Sequence, residues 1–209
     1  MILKPDDHVL FFGDSITDAG RRNTEGNNNG LGAGYPALVA AILGARFPGW
    51  KLRFTNRGIS GNRVTDLQAR LEEDVLALKP TLVSILIGIN DTWHQFKHDK
   101  PSPHDAFETG YRCLLQTLTD RIAPRILLLE PFLLPTPADR IPWRSDLDAR
   151  IDAIRRVAVE FGVDYVPLDG LFAAAACQRP ADYWLPDGVH PSPAGHGLIA
   201  EAWISRATS

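Results

Sequence analysis

Short apolar runs recur along this chain, each followed by a stretch with helical spacing, and that alternation restricts the fold more than any other feature. Thr81 to Ile87 is mostly apolar, short and β-branched, which suits a central strand buried on both faces. Ile126 to Leu129 reads the same way. Val9 to Phe12 is closed by Gly13, Lys51 to Thr55 alternates as a strand should, and Val163 to Val166 supplies a fifth run. Between them, Leu38 to Leu43 carries a helical patch broken near Pro48 and Gly49. Val64, Leu67, Leu71, Val75 and Leu78 predict one amphipathic helix ending at Lys79-Pro80. Further helices are predicted over about Pro103 to Arg121 and Pro193 to Arg206. Ser145 is placed to cap another, with Asp146 and Asp148 near its positive end and Gly162 as its stop.

Strand–helix repetition of this kind predicts a parallel sheet wrapped by helices. The expected class is α/β, a flavodoxin-like three-layer sandwich around a central five-stranded parallel sheet. Neither repeat nor linker divides 1–209 into more than one domain. A net charge of −3 argues against a nucleic-acid binder, and no apolar stretch approaches a membrane span. Met1 to Asp7 lacks the basic and apolar regions of a signal peptide, so the expected location is cytoplasmic. Cys113 and Cys177 have neither scaffold nor metal spacing and read as reduced thiols in helical segments.

In an open parallel sheet the loops leaving the carboxyl ends of the strands share one edge, where ligands bind. Three such exits here are polar and contain glycine: Gly13-Asp14-Ser15, Asn56 to Gly61, and Gly88-Ile89-Asn90-Asp91. They bring a hydroxyl, a flexible run of backbone N–H groups and a side-chain amide to one place. Asp187-Gly188-Val189-His190 precedes the last helix and can reach the same edge. A serine hydroxyl becomes a nucleophile when an imidazole takes its proton and a carboxylate fixes the imidazole's tautomer. Taken singly, each segment has a plainer reading: Ser15 as a cap, Asn90 as a turn residue, Asp187 as a surface ion-pair partner. Asp14 is expected to stabilise its loop rather than react, and Ser60 and Ser192 to bond backbone.

Together these four segments resemble the GDSL/SGNH hydrolase superfamily, over nearly the whole chain. The resemblance implies Ser15 as nucleophile, His190 as general base and acid, and Asp187 as the orienting carboxylate. It also implies an oxyanion hole of Ser15 N–H, Gly58 N–H and the Asn90 amide. Ile16 replaces the leucine of the eponymous motif at similar volume. Within the superfamily the same segments, with Arg21 and Asn62-Arg63, are similar to bacterial intracellular acetylxylan esterases. That implies removal of acetyl groups from xylose units of short oligosaccharides by a homo-oligomer, with no metal or organic cofactor. Alternatives are a lysophospholipase or thioesterase on the same scaffold, or a non-catalytic carbohydrate-binding protein.

Asp14, Arg57, Trp93 and Trp184 complete the expected substrate-binding set, since indole rings suit sugar faces. Trp143 fits a site or a core equally. Gly30 to Gly34 lacks a preceding strand and a Lys-Ser/Thr partner, so it is expected to be a flexible rim rather than a phosphate loop. His94 and His98 flank Gln95 where a zinc protease would carry glutamate, and no metal is expected there. The loops from Asn23 to Gly34 and from Phe132 to Pro142 are long enough either to line a site or to be plain excursions.

Overall fold

The computed structural model describes residues 2–21 and 28–209. β1 (His8–Gly13), β2 (Arg53–Gly58), β3 (Leu82–Leu86), β4 (Arg125–Leu129) and β5 (Asp164–Val166) pair in the order β2-β1-β3-β4-β5. Every pairing is parallel. The helices are α1 (Ser15–Asp18), α2 (Tyr35–Arg46), α3 (Val64–Ala69), α4 (Leu71–Asp74), α5 (Ile89–His98), α6 (His104–Arg121), α7 (Arg144–Phe161), α8 (Leu168–Ala176), α9 (Ala181–Trp184) and α10 (Pro193–Thr208). This is the flavodoxin-like strand order, and it confirms the α/β class. The chain steps outward from β1 to β2 and then crosses back to β3. A crevice therefore opens where the carboxyl ends of β1 and β3 diverge.

Successive side chains of β1 point to opposite faces, and both faces are covered. Val9 and Phe11 pack with Tyr35, Val39 and Leu43 of α2 and Trp203 of α10. Leu10 and Phe12 pack with Val64 and Leu67 of α3 and Tyr111 and Leu114 of α6. All four strand residues are fully buried, which is why the run is continuously apolar rather than alternating. Each buried phenylalanine contributes roughly 1.5–3 kcal/mol. The indole N–H of Trp203 donates to Ser84 Oγ at 2.9 Å, pairing two polar groups inside the first core. No helix among the described residues is long and apolar enough to cross a membrane.

Several boundaries differ from the sequence expectation. β2 begins at Arg53 because its parallel register with β1 starts at His8; Lys51 instead turns the chain with φ 52°. The single helix expected over Val64 to Leu78 is three pieces, α3, α4 and a 3-10 turn at Leu76–Leu78. Val64, Leu67, Leu71 and Val75 are nevertheless buried and Leu78 is half-buried against them, since periodicity reports which face is covered and not whether the hydrogen-bond ladder is continuous. The break falls at Arg70, whose guanidinium lies 4.4 Å over the Phe12 ring and donates to the carbonyls of Gly13 and Arg57. α7 starts at Arg144, out of a 3-10 turn at Ala138–Trp143, so Ser145 sits inside the first turn and does not cap it. The sequence expectation sets no bounds for α1, α5, α8 or α9, although Cys177, which closes α8, reads as helical. The segment after β4 is no excursion: Phe132, Leu133 and Leu134 are buried in the core. Gly32 and Gly34 are likewise buried, against Ala19 and His196, so these two glycines pack rather than form a loose rim, while Gly30 and Ala33 are exposed. The remainder of the Asn23 loop, 23–27, lies outside the described residues.

Candidate active site

β1 ends at Gly13, where a Cβ would stand 2.4 Å from both the Leu86 carbonyl oxygen and the Thr17 hydroxyl. The turn that follows is fixed by Asp14, whose Oδ1 accepts the Ile16 N–H at 3.0 Å and so caps α1. Ser15 opens α1, its side chain facing the crevice. Its Oγ lies 3.0 Å from His190 Nε2, and His190 Nδ1 lies 2.7 Å from Asp187 Oδ2. Asp187 Oδ1 accepts the N–H groups of Val189 (3.0 Å) and His190 (2.7 Å), so one tight turn orients both carboxylate and ring. Gly188 makes that turn possible at φ 84°; a Cβ there would lie 2.3 Å from the Thr136 carbonyl oxygen. Ser192 caps α10 by accepting the Gly195 N–H and donates to the Tyr183 carbonyl.

The electrostatics suit a base held by a carboxylate. The hydrogen bond that His190 donates to Asp187 raises the His190 pKa above the ordinary imidazole value, against desolvation and the nearby Arg140 cation. Burial works against ionisation of Asp187. The hydrogen bonds from the His190 ring and from two backbone N–H groups outweigh it, holding the carboxyl well below the usual range. Asp14 behaves oppositely: full burial pushes it up to about 7 despite the Ile16 N–H. Its Oδ2 has no hydrogen-bond partner among the described residues. A side chain with no exposed surface cannot contact substrate, so the expected binding role of Asp14 is corrected to a structural one.

The donor groups around Ser15 also differ in part from expectation. β2 continues to Gly58, in register with Gly13, and the Gly58 N–H is given to Asn56 Oδ1 at 2.8 Å. Glycine is needed there because a Cβ would stand 2.3 Å from the Asp18 backbone nitrogen of α1. Three residues on, Gly61 is the third residue of the Ile59–Asn62 turn, with φ 83°. The sequence reading passed over Gly61; the signal for it was a serine–glycine turn pair beyond a strand that extends to Gly58. Among the described residues no acceptor takes the N–H of Gly61 or of Ser15. Asn90 Nδ2 donates one hydrogen to the Asn62 carbonyl at 3.0 Å, joining this turn to α5 and keeping its second hydrogen. Asp91, pushed up to about 6 by burial, accepts from the Val64 N–H and the Ser102 hydroxyl and locks the same junction.

Of the remaining expected residues, Trp93 is brought into the cluster, its ring 5.8 Å from that of His190 and nearly edge-on to it. Arg57 is not: its side chain turns to the other face of the sheet, 3.8 Å from Asp74. Trp184 is half-buried on α9, with its indole N–H on the Ala175 carbonyl, and serves packing. Trp143 is buried behind Trp93. Ser60 bonds the Asp18 carboxylate rather than backbone.

Such a chain of groups can move a proton from a hydroxyl to an imidazole beside unengaged N–H donors. Residues 11–198 match the model of the GDSL-like lipase/acylhydrolase family. The chain is 39% identical over 204 residues to an acetylxylan esterase from Geobacillus stearothermophilus, covering 94% of this chain and 91% of that one. A GDSL-like lipase structure from Parabacteroides merdae superposes with a TM-score of 0.93 at 37% identity, over 99% of this chain and 97% of the other. The structure of Axe2, an acetylxylan esterase from Geobacillus stearothermophilus, gives 0.89 at 36% identity over 100% and 97%.

Proposed function

The chain belongs to the GDSL-like lipase/acylhydrolase family and is a carboxylic ester hydrolase, and on that premise we propose that it deacetylates carbohydrates through an acetyl-Ser15 intermediate. The observation that carries the reading is the hydrogen-bonded chain Ser15 Oγ–His190–Asp187, at 3.0 and 2.7 Å. With Nδ1–H given to Asp187, the Nε2 lone pair faces the serine hydroxyl. Ser15 Oγ attacks the acetyl carbonyl carbon as its proton passes to Nε2. The carbonyl electron pair becomes an oxyanion facing the N–H groups of Ser15 and Gly61 and the Asn90 amide. His190 returns the proton to the departing sugar oxygen, and the C–O bond breaks. Water then repeats the sequence and releases acetate. These residues and water handle every proton and electron pair in the cycle.

The substrate class rests on the acetylxylan esterases among the relatives and on the Trp93 ring beside His190, a flat apolar surface suited to a sugar face. Within the proposal the substrates are xylo-oligosaccharides, handled in the cytoplasm by a homo-oligomer, as the family resemblance implies. A p-nitrophenyl ester series, paired with acetate release from acetylated xylo-oligosaccharides, tests the assignment. Sharp preference for the two-carbon acyl chain and release of acetate from the sugars are expected. Preference for long chains would instead support a lysophospholipase or thioesterase.

The acid limb of the pH profile follows from His190. The hydrogen bond to Asp187 holds its pKa above the ordinary imidazole value, and as pH falls through that pKa the ring becomes imidazolium, with no lone pair for the serine proton. The expected kcat/KM rises with pH through a midpoint above that of an ordinary imidazole. A flat profile over about pH 5 to 8 refutes His190 as the base.

A further inference from the structure

Arg140 lies outside the segments that carry the reacting groups, on the 3-10 turn Ala138–Trp143, yet it touches their supports on several sides. The side chain is buried, and its guanidinium carbon lies 4.7 Å from the centre of the Trp93 ring and 4.3 Å from that of Trp143. The two indoles meet edge to face at 5.1 Å, clasping the cation between them. Nε donates to the backbone carbonyl of Asp187 at 3.1 Å, and Nη1 pairs with the Asp139 carboxylate. Asp139 in turn takes Lys97 Nζ of α5 at 2.7 Å. The Arg140 stem packs under the turn as well, its Cγ 3.2 Å from where a Cβ on Gly188 would stand.

We propose that Arg140 is a positioning residue for the Asp187–His190 couple, fixing through one guanidinium both the Asp187 carbonyl and the Trp93 indole against which the His190 ring is set. A buried cation is a poor way to gain stability alone, because an apolar side chain of similar volume fills the space as well. A rigid, planar fork does what such a side chain cannot: it stacks with its faces and donates in a fixed direction along its edge. Both surfaces it holds adjoin one imidazole. The inference rests on the Ser15–His190–Asp187 reading above.

The charged and titratable groups around His190 are Asp187 in its own turn, Asp14 before α1, Arg140 and His196 of α10. Asp187 and Asp14 favour the protonated ring, Arg140 disfavours it, and His196 is held neutral, pushed down to about 4 chiefly by burial. Arg140→Met therefore removes the cation that opposes protonation of His190, whereas Arg140→Lys keeps it. Purified R140M and R140K, with Ser15→Ala as reference, are to be assayed for kcat and KM on p-nitrophenyl acetate across pH. Both arginine variants are expected to lose about 10- to 100-fold in kcat with KM little changed, the cost of a slightly misplaced base. Only R140M is expected to shift its acid limb to higher pH. Wild-type kcat in either folded variant overturns the proposal, as does an R140M acid limb that stays in place. Should R140M fail to fold, R140K decides on kcat and KM alone. Activity persisting in Ser15→Ala marks failure of the underlying triad reading instead, a separate outcome.

Discussion

Ser15→Ala is expected to lower kcat for acetyl ester hydrolysis by about 10⁶-fold while leaving the protein folded, because the triad then lacks its nucleophile. The fold loses little because Ser15 Oγ makes a single hydrogen bond, to His190, and alanine suits a helix start that Asp14 already caps. The rate loses nearly everything because no other hydroxyl stands against His190 Nε2 among the described residues. What remains is the polarising effect of the Gly61 and Asn90 donors and the ability of His190 to activate a water. In comparable hydrolases that residue amounts to roughly 10³–10⁴ over the uncatalysed reaction. Circular dichroism and long-incubation assays with p-nitrophenyl acetate check both halves. A folded variant retaining most of its activity ends the assignment. A serine-directed covalent inhibitor offers a parallel check: it is expected to label the wild type at Ser15 and to leave the variant unlabelled.

The sheet was legible because each strand announces itself locally. A run such as Thr81 to Ile87 can be buried on both faces only in a parallel sheet covered by helices, and its residues from Leu82 to Ile87 are buried in this way. The segments carrying Ser15, Asn90 and His190 were legible for a related reason: strand exits in such a sheet must share an edge. What escaped notice depends on contacts made across the fold. Gly58 and Gly61 are told apart by where β2 ends, which its register with β1 sets: Gly58 is its last residue, its N–H taken by Asn56, and Gly61 lies in the turn beyond, its N–H without an acceptor among the described residues. Arg57 sits in a strand-exit segment among the expected substrate contacts, but strand alternation turns it toward Asp74, on the face opposite Asn56. Arg140 gave no signal at all, because two of its partners, Trp93 and Asp187, come from distant stretches of chain. Asp146 read as a helix-dipole partner, yet it is buried, accepts the Thr92 hydroxyl at 2.6 Å and pairs with buried Arg150 at 3.0 Å. It thereby ties α7 to α5, the helix that carries Asn90.

Asp187→Asn, isosteric and still able to make the turn, is expected to lower kcat by about 10⁴-fold. The reason lies in how the carboxylate divides its oxygens. Oδ1 accepts the N–H groups of Val189 and His190, while Oδ2 accepts from His190 Nδ1. An asparagine that keeps its oxygen on the two backbone donors must present its NH₂ to Nδ1. The ring then carries its proton on Nε2 and meets Ser15 Oγ with a hydrogen rather than a lone pair. Rotating the amide the other way sets NH₂ against two backbone N–H groups and leaves them unpaired, at roughly 1–3 kcal/mol each if buried. Either way the base is disarmed, and the imidazolium that forms during attack loses its counter-charge. The same substitution removes the largest influence raising the His190 pKa, so any residual activity should show its acid limb at lower pH than the wild type. That shift runs opposite to the one expected of Arg140→Met. Limbs that move in opposite directions place carboxylate and guanidinium on opposing sides of one titrating imidazole; limbs that move together rule that arrangement out.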